Sequence, residues 1–136
     1  MGLDLALLSN EDDSIRAGSY TSFHRIRMEC LEASYHYLIK QDDRAICMSN
    51  WYNNSEIHFD IIQNDKSQIG DMLYKYGFIG MLDFINHSDS DGEWSSVECN
   101  RIHTWMGAIL SFIPEIQYLY DFFGHATQEK SGILLC

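Results

Sequence analysis

A chain of 136 residues with 46% hydrophobic side chains is long enough to bury roughly 70% of its unfolded surface, which predicts one domain over residues 1–136. Its 20 acidic side chains against 9 basic ones give a formal net charge of -11. That balance excludes direct binding to a nucleic-acid backbone, which depends on clustered Lys and Arg releasing counterions, and it favours basic protein surfaces as partners.

In chain order, Leu3 to Leu8 is short and apolar and precedes the turn-rich SNEDDS, which predicts a buried strand and then a turn. Between Ser19 and Gln41, the residues Phe23, Ile26, Cys30, Ala33 and Tyr37 recur at helical spacing, and Leu31 and Leu38 widen the stripe of this first helix. Residues 41–65 carry Asn and Ser clusters between short apolar runs. Within them EIHFDII is the strand candidate, because Ile57, Phe59 and Ile61 alternate with His58 and Asp60. A second helix is predicted from Gln68 to Asn86 through Ile69, Leu73, Tyr76, Ile79 and Leu82. Gly77 and Gly80 would each weaken it by about 1 kcal/mol relative to Ala while allowing a close helix crossing. A third helix is expected from Ser96 to Phe112, and Pro114 then marks the start of a fourth that buries Ile116, Leu119, Tyr120 and Phe123. Finally, KSGILLC reads as a turn at Ser131 and Gly132 into a last strand that would pair with Leu3 to Leu8. The expected fold class is α+β, mainly helical, with about four helices packed on a small sheet formed by the N- and C-terminal strands.

The stretch HSDSDGEWSSVEC, His87 to Cys99, supports two readings. With Gly92 at the sixth position of a calcium loop, Asp89, Asp91, Ser95 and Glu98 fall at ligand positions, but His87 replaces the anchoring Asp. Alternatively, Ser95 and Glu98 form a capping box, with Trp94 and Cys99 as the hydrophobic staple of a helix start. A zinc version would use Cys99 and His103, four apart, with His87 and an aspartate.

The second constellation is SYTSFHRIR, where Ser22, His24, Arg25 and Arg27 gather at the start of the first helix. Hydroxyl and guanidinium groups at a helix N-terminus suit a phosphate or carboxylate. In SNWYNNSE, Trp51 and Tyr52 stand among loop residues, which points to a contact surface. The four cysteines, Cys30, Cys47, Cys99 and Cys136, form no C-x-x-C pair and fit reduced thiols. A catalytic pairing of Cys30 or Cys99 with a histidine has no local signature. MGLDLALLSNEDD lacks a positive n-region, and no run approaches the roughly 20 apolar residues of a membrane span. The expected location is therefore cytoplasmic, with no membrane partner.

With its MGLD start, its SYTSFHRIR segment and the S-D-x-D-G pattern of SDSDG before a helix, the chain resembles small uncharacterised proteins of phages and bacteria. The resemblance implies an intracellular, mobile-element origin and carries no assigned activity or catalytic residue. The sequence thus predicts a non-enzymatic acidic module that binds a host protein, a phage-type inhibitor of a defence or nucleic-acid-processing factor. The other expectation is a module for a small anionic ligand such as a nucleotide, or for calcium. Self-association is left open.

Overall fold

The computed structural model describes residues 2–53, 56–57, 59–87 and 92–135. Strand β1 (Gly2–Leu7) turns through Leu8 and Ser9 into β2 (Asn10–Ser19), and helix α1 (Tyr20–Ile39) follows directly. A 3-10 segment (Asp43–Asn50) leads to the short antiparallel pair β3 (Tyr52–Asn53) and β4 (Glu56–Ile57). Helices α2 (Phe59–Lys75) and α3 (Ile79–Ile85) come next, then β5 (Gly92–Trp94) and α4 (Ser96–Ile109). A 3-10 turn at Pro114–Ile116 starts α5 (Gln117–Gln128), and β6 (Ile133–Leu135) closes the described chain.

The architecture is α+β. Four strands form an antiparallel sheet in the order β2-β1-β6-β5, and the pairing of Leu5 with Leu135 and Leu7 with Ile133 joins the terminal strands as expected. The buried apolar residues form one connected cluster, into which Trp51, Trp94, Trp105, Phe23, Phe78, Phe84 and Phe123 all project.

Three elements differ from the sequence expectation. The acidic SNEDDS is mostly strand, because β2 is an outer strand whose backbone is paired by β1 while Glu11 and Asp12 stay exposed. EIHFDII is divided between β4 and the first turn of α2, since Ile62, Ile69, Met72 and Leu73 supply a helical buried stripe that short alternation cannot outweigh. The single helix expected over 68–86 is two helices. Gly77, at φ +76, ends α2 in a Schellman motif: the Phe78 amide donates to the Leu73 carbonyl at 2.7 Å and the Gly77 amide to the Tyr74 carbonyl at 3.2 Å.

Gly80 serves the close crossing. A Cβ there would lie 2.2 Å from the Arg101 carbonyl oxygen of α4, so only glycine lets α3 lie this near. Gly80→Ala is therefore expected to lower the unfolding free energy by about 1–3 kcal/mol through overpacking. In contrast, Gly70→Ala, whose Cβ would meet nothing within 4 Å, is expected to raise it by up to about 1 kcal/mol. Urea denaturation of both variants checks the pair, and equal effects would contradict the crossing.

Candidate functional site

Helix α1 has two faces of opposite use. At about 100° per residue, Phe23, Arg27, Cys30, Leu31, Ser34 and Leu38 gather on the buried face, while Ser22, Arg25, Glu29, Glu32 and His36 fall roughly opposite. Ser19 caps the helix: its Oγ accepts from the Ser22 amide at 3.1 Å and donates to the Ser22 hydroxyl at 2.9 Å. The constellation expected to act together at the helix start is thus divided, with Ser22 and Arg25 on the outer face, Arg27 in the core and His24 half-buried between them.

Arg27 is only 3% exposed. Its Nη2 donates to the His87 carbonyl at 2.7 Å, and its guanidinium lies over the rings of Phe23 and Phe84, at 4.9 and 5.8 Å from their centroids. The His87 ring rests on Trp94, centroids 4.4 Å apart. Its Nε2 stands 3.0 Å from the Glu93 carbonyl oxygen, so this nitrogen carries the proton and donates. Trp94 in turn donates from Nε1 to the Asp83 carbonyl at 3.0 Å. Segments some sixty positions apart, SYTSFHRIR and the start of HSDSDGEWSSVEC, therefore meet through one guanidinium, and β5 shares the neighbour β6 with the MGLD strand β1.

On the outer face of α1 runs an open groove of about 790 Å³. One wall is Ser22, Arg25, Glu29 and Glu32 of α1; the others are the end of β2 at Arg16 to Gly18 and the approach to α5 at Phe112, Ile113, Glu115 and Tyr118. The Tyr118 hydroxyl donates to the Ala17 carbonyl at 3.4 Å, and a hydrogen bond between the His125 ring and the Asp13 carboxylate also holds α5 against β2. Arg16 is engaged by Asp4 at 2.7 Å. Glu32 has His36 at 3.7 Å. Arg25, Glu29 and Glu115 make no ion pair among the described residues. Phe112 and Tyr118 stand on the rim, 42% and 38% exposed.

The metal expectations divide. Asp89 and Asp91 lie outside the described residues. Glu98 closes the capping box, with Oε1 accepting from the Ser95 amide at 2.9 Å while the Ser95 hydroxyl accepts from the Glu98 amide at 3.2 Å. For zinc, Cys99 points its Sγ at the Trp94 carbonyl, 3.9 Å away, and the His103 ring stacks on Tyr120, centroids 4.5 Å apart. Among the described residues, no group of three His, Cys, Asp or Glu side chains converges as a metal site. The thiols do not suit nucleophilic catalysis, because burial pushes Cys99 up to about 12 and Cys30 higher still, keeping both protonated.

Trp51 corrects the expectation of a contact surface. It follows the 3-10 segment, is fully buried, and donates from Nε1 to Asp65 Oδ2 at 2.9 Å. Tyr52 contributes its backbone to β3. No helix among the described residues is long and apolar enough to cross a membrane. The groove residues Glu29, Phe112, Glu115 and Tyr118 escaped sequence reading, since a polar helix stripe looks the same whether it faces bulk water or a groove. Compared with known proteins, the chain matches no family model, no curated protein and no solved structure.

Two outcomes follow. Ser95→Ala should lower stability by about 1 kcal/mol, while Glu98→Gln, which keeps the capping geometry, should change it little; a large loss in Glu98→Gln, reversed by added calcium, would assign the carboxylate to a metal. Burial holds His103 below its usual imidazole value of 6.5. The unfolded chain then binds the proton first, so stability falls as pH drops through and below 6.5 and levels off beneath the lowered folded value. His103→Gln should flatten that part of the curve relative to the wild type, read from urea midpoints between about pH 5 and 8; superimposable curves would contradict it.

Proposed function

We propose that this chain is a non-enzymatic acidic module that binds a host protein, acting as a phage-type inhibitor of a defence or nucleic-acid-processing factor. The observation that carries the reading is the α1 groove, with exposed Phe112 and Tyr118 on its rim and the carboxylates of Glu29 and Glu115 within it. Aromatic side chains supply most of the binding energy at protein interfaces, and charges steer and select the partner. An open trough fits a segment of a partner's surface better than a small molecule, which is usually largely enclosed. The net charge of -11 suits a partner whose own surface is basic, as a nucleic-acid-processing protein's is. The resemblance to phage proteins agrees with that role.

A second reading has its own support: Ser22 and Arg25 near the N-terminal end of α1 would suit a small anion such as a nucleotide. Affinity capture with the tagged protein, followed by titration of the purified partner, separates the two. Binding should weaken at least about tenfold from about 0.1 M to about 1 M salt, as the screening length falls from about 10 Å to about 3 Å. The Glu29→Gln, Glu115→Gln double variant should lose about as much at low salt. Salt-insensitive binding, or a double variant equal to wild type, contradicts the proposal. A nucleotide-induced rise in thermal midpoint that Arg25→Ala abolishes would favour the second reading.

A further inference from the structure

Resting on the protein-binding reading above, we infer that the groove takes an extended peptide segment of the partner carrying an Asp or Glu and a Lys or Arg at alternate positions, two residues apart. The groove is ordered by charge. At one end Arg25 and Ser22 face the last residues of β2, and Arg16 there is already matched by Asp4. Arg25 is thus the cation left for a ligand carboxylate. One turn along α1, about 6 Å at 1.5 Å per residue, Glu29 follows, then Glu32, with Glu115 contributed by the opposite wall. That end suits a cation. Ala17, Ile26, Ala33 and Ile113 add apolar lining to the groove.

The match to extended chain comes from spacing. In a strand, residues two apart point to the same face and are separated by about 6.6 Å, close to the Arg25 to Glu29 rise. A helical ligand would instead carry the two charges four residues apart at a similar rise, a pattern the peptide selection distinguishes. At the β2 end the Tyr118 hydroxyl is tied to the Ala17 carbonyl, which joins α5 to that wall of the groove.

The probe is a displayed library of random peptides about twelve residues long, about 40 Å when extended, selected on the wild-type chain and on Arg25→Glu. Arg25 is exposed, and circular dichroism confirms that the variant is folded. The wild type should enrich Asp or Glu two positions from Lys or Arg. Arg25→Glu should replace the acidic position by a basic one and weaken a synthetic wild-type-selected peptide at least about tenfold, with a reversed-charge peptide restored. Purely basic peptides enriched equally by both chains, charges enriched four apart, or no enrichment over an unrelated protein would each overturn the inference. In any of those cases the protein-binding reading still stands if the captured partner's affinity falls in the Glu29, Glu115 double variant, and falls with the inference if it does not.

Discussion

The guanidinium of Arg27, lying over the neighbouring rings of Phe23 and Phe84 and donating to the His87 carbonyl, anchors the inner face of α1. A cation that is 3% exposed is costly to bury and is tolerated only where hydrogen bonds and ring faces replace water. Phe84 and the His87 carbonyl lie outside α1, so they favour the rotation of the helix that turns Arg27 toward them. With Arg27 inward, Arg25 and Glu29 must point outward. The groove is therefore a consequence of how the opposite face of the same helix is anchored.

The same anchor organises the sheet. His87 rests on Trp94 of β5, and Trp94 packs against Phe84 and Phe123 while its indole nitrogen is tied to the Asp83 carbonyl. Strand β5 then pairs with β6, and β6 with β1. At the far side β2 runs into α1, so that the helix and the sheet close on each other around one aromatic cluster. Glycine marks the tightest approaches: a Cβ at Gly132 would lie 2.4 Å from the Trp94 carbonyl, which lets the C-terminal strand reach β5.

What the sequence disclosed depended on whether local physics decided the outcome. Helix α1, the start of α4 with its Ser95–Glu98 capping box, and the pairing of β6 with β1 were legible because periodicity, cap chemistry and short apolar runs act over a few residues. Strand β2 was hidden, since an outer strand paired on one edge accepts Asp and Glu that read as turn formers. Trp51 was misplaced for the reverse reason: its polar neighbours Ser49, Asn50 and Asn53 suggested surface, whereas a single hydrogen bond to Asp65 satisfies its indole in the core. Ser22 and Arg25 are legible as candidate ligand groups, whereas Glu115 and Tyr118, which line the same groove, come from ninety residues later and only tertiary packing brings them across.

The proposed partner recognition runs along the face of α1 opposite Arg27. Its most direct test is to follow the backbone amide resonances of the isotope-labelled protein during titration with its captured partner or a peptide derived from it. Shift changes concentrated at Gly18, Ser22, Arg25, Glu29, Ile113 and Tyr118, with Trp94 to Cys99 and α2 undisturbed, are the predicted result. Changes centred on β5 and the start of α4, with the α1 groove silent, would contradict recognition along α1.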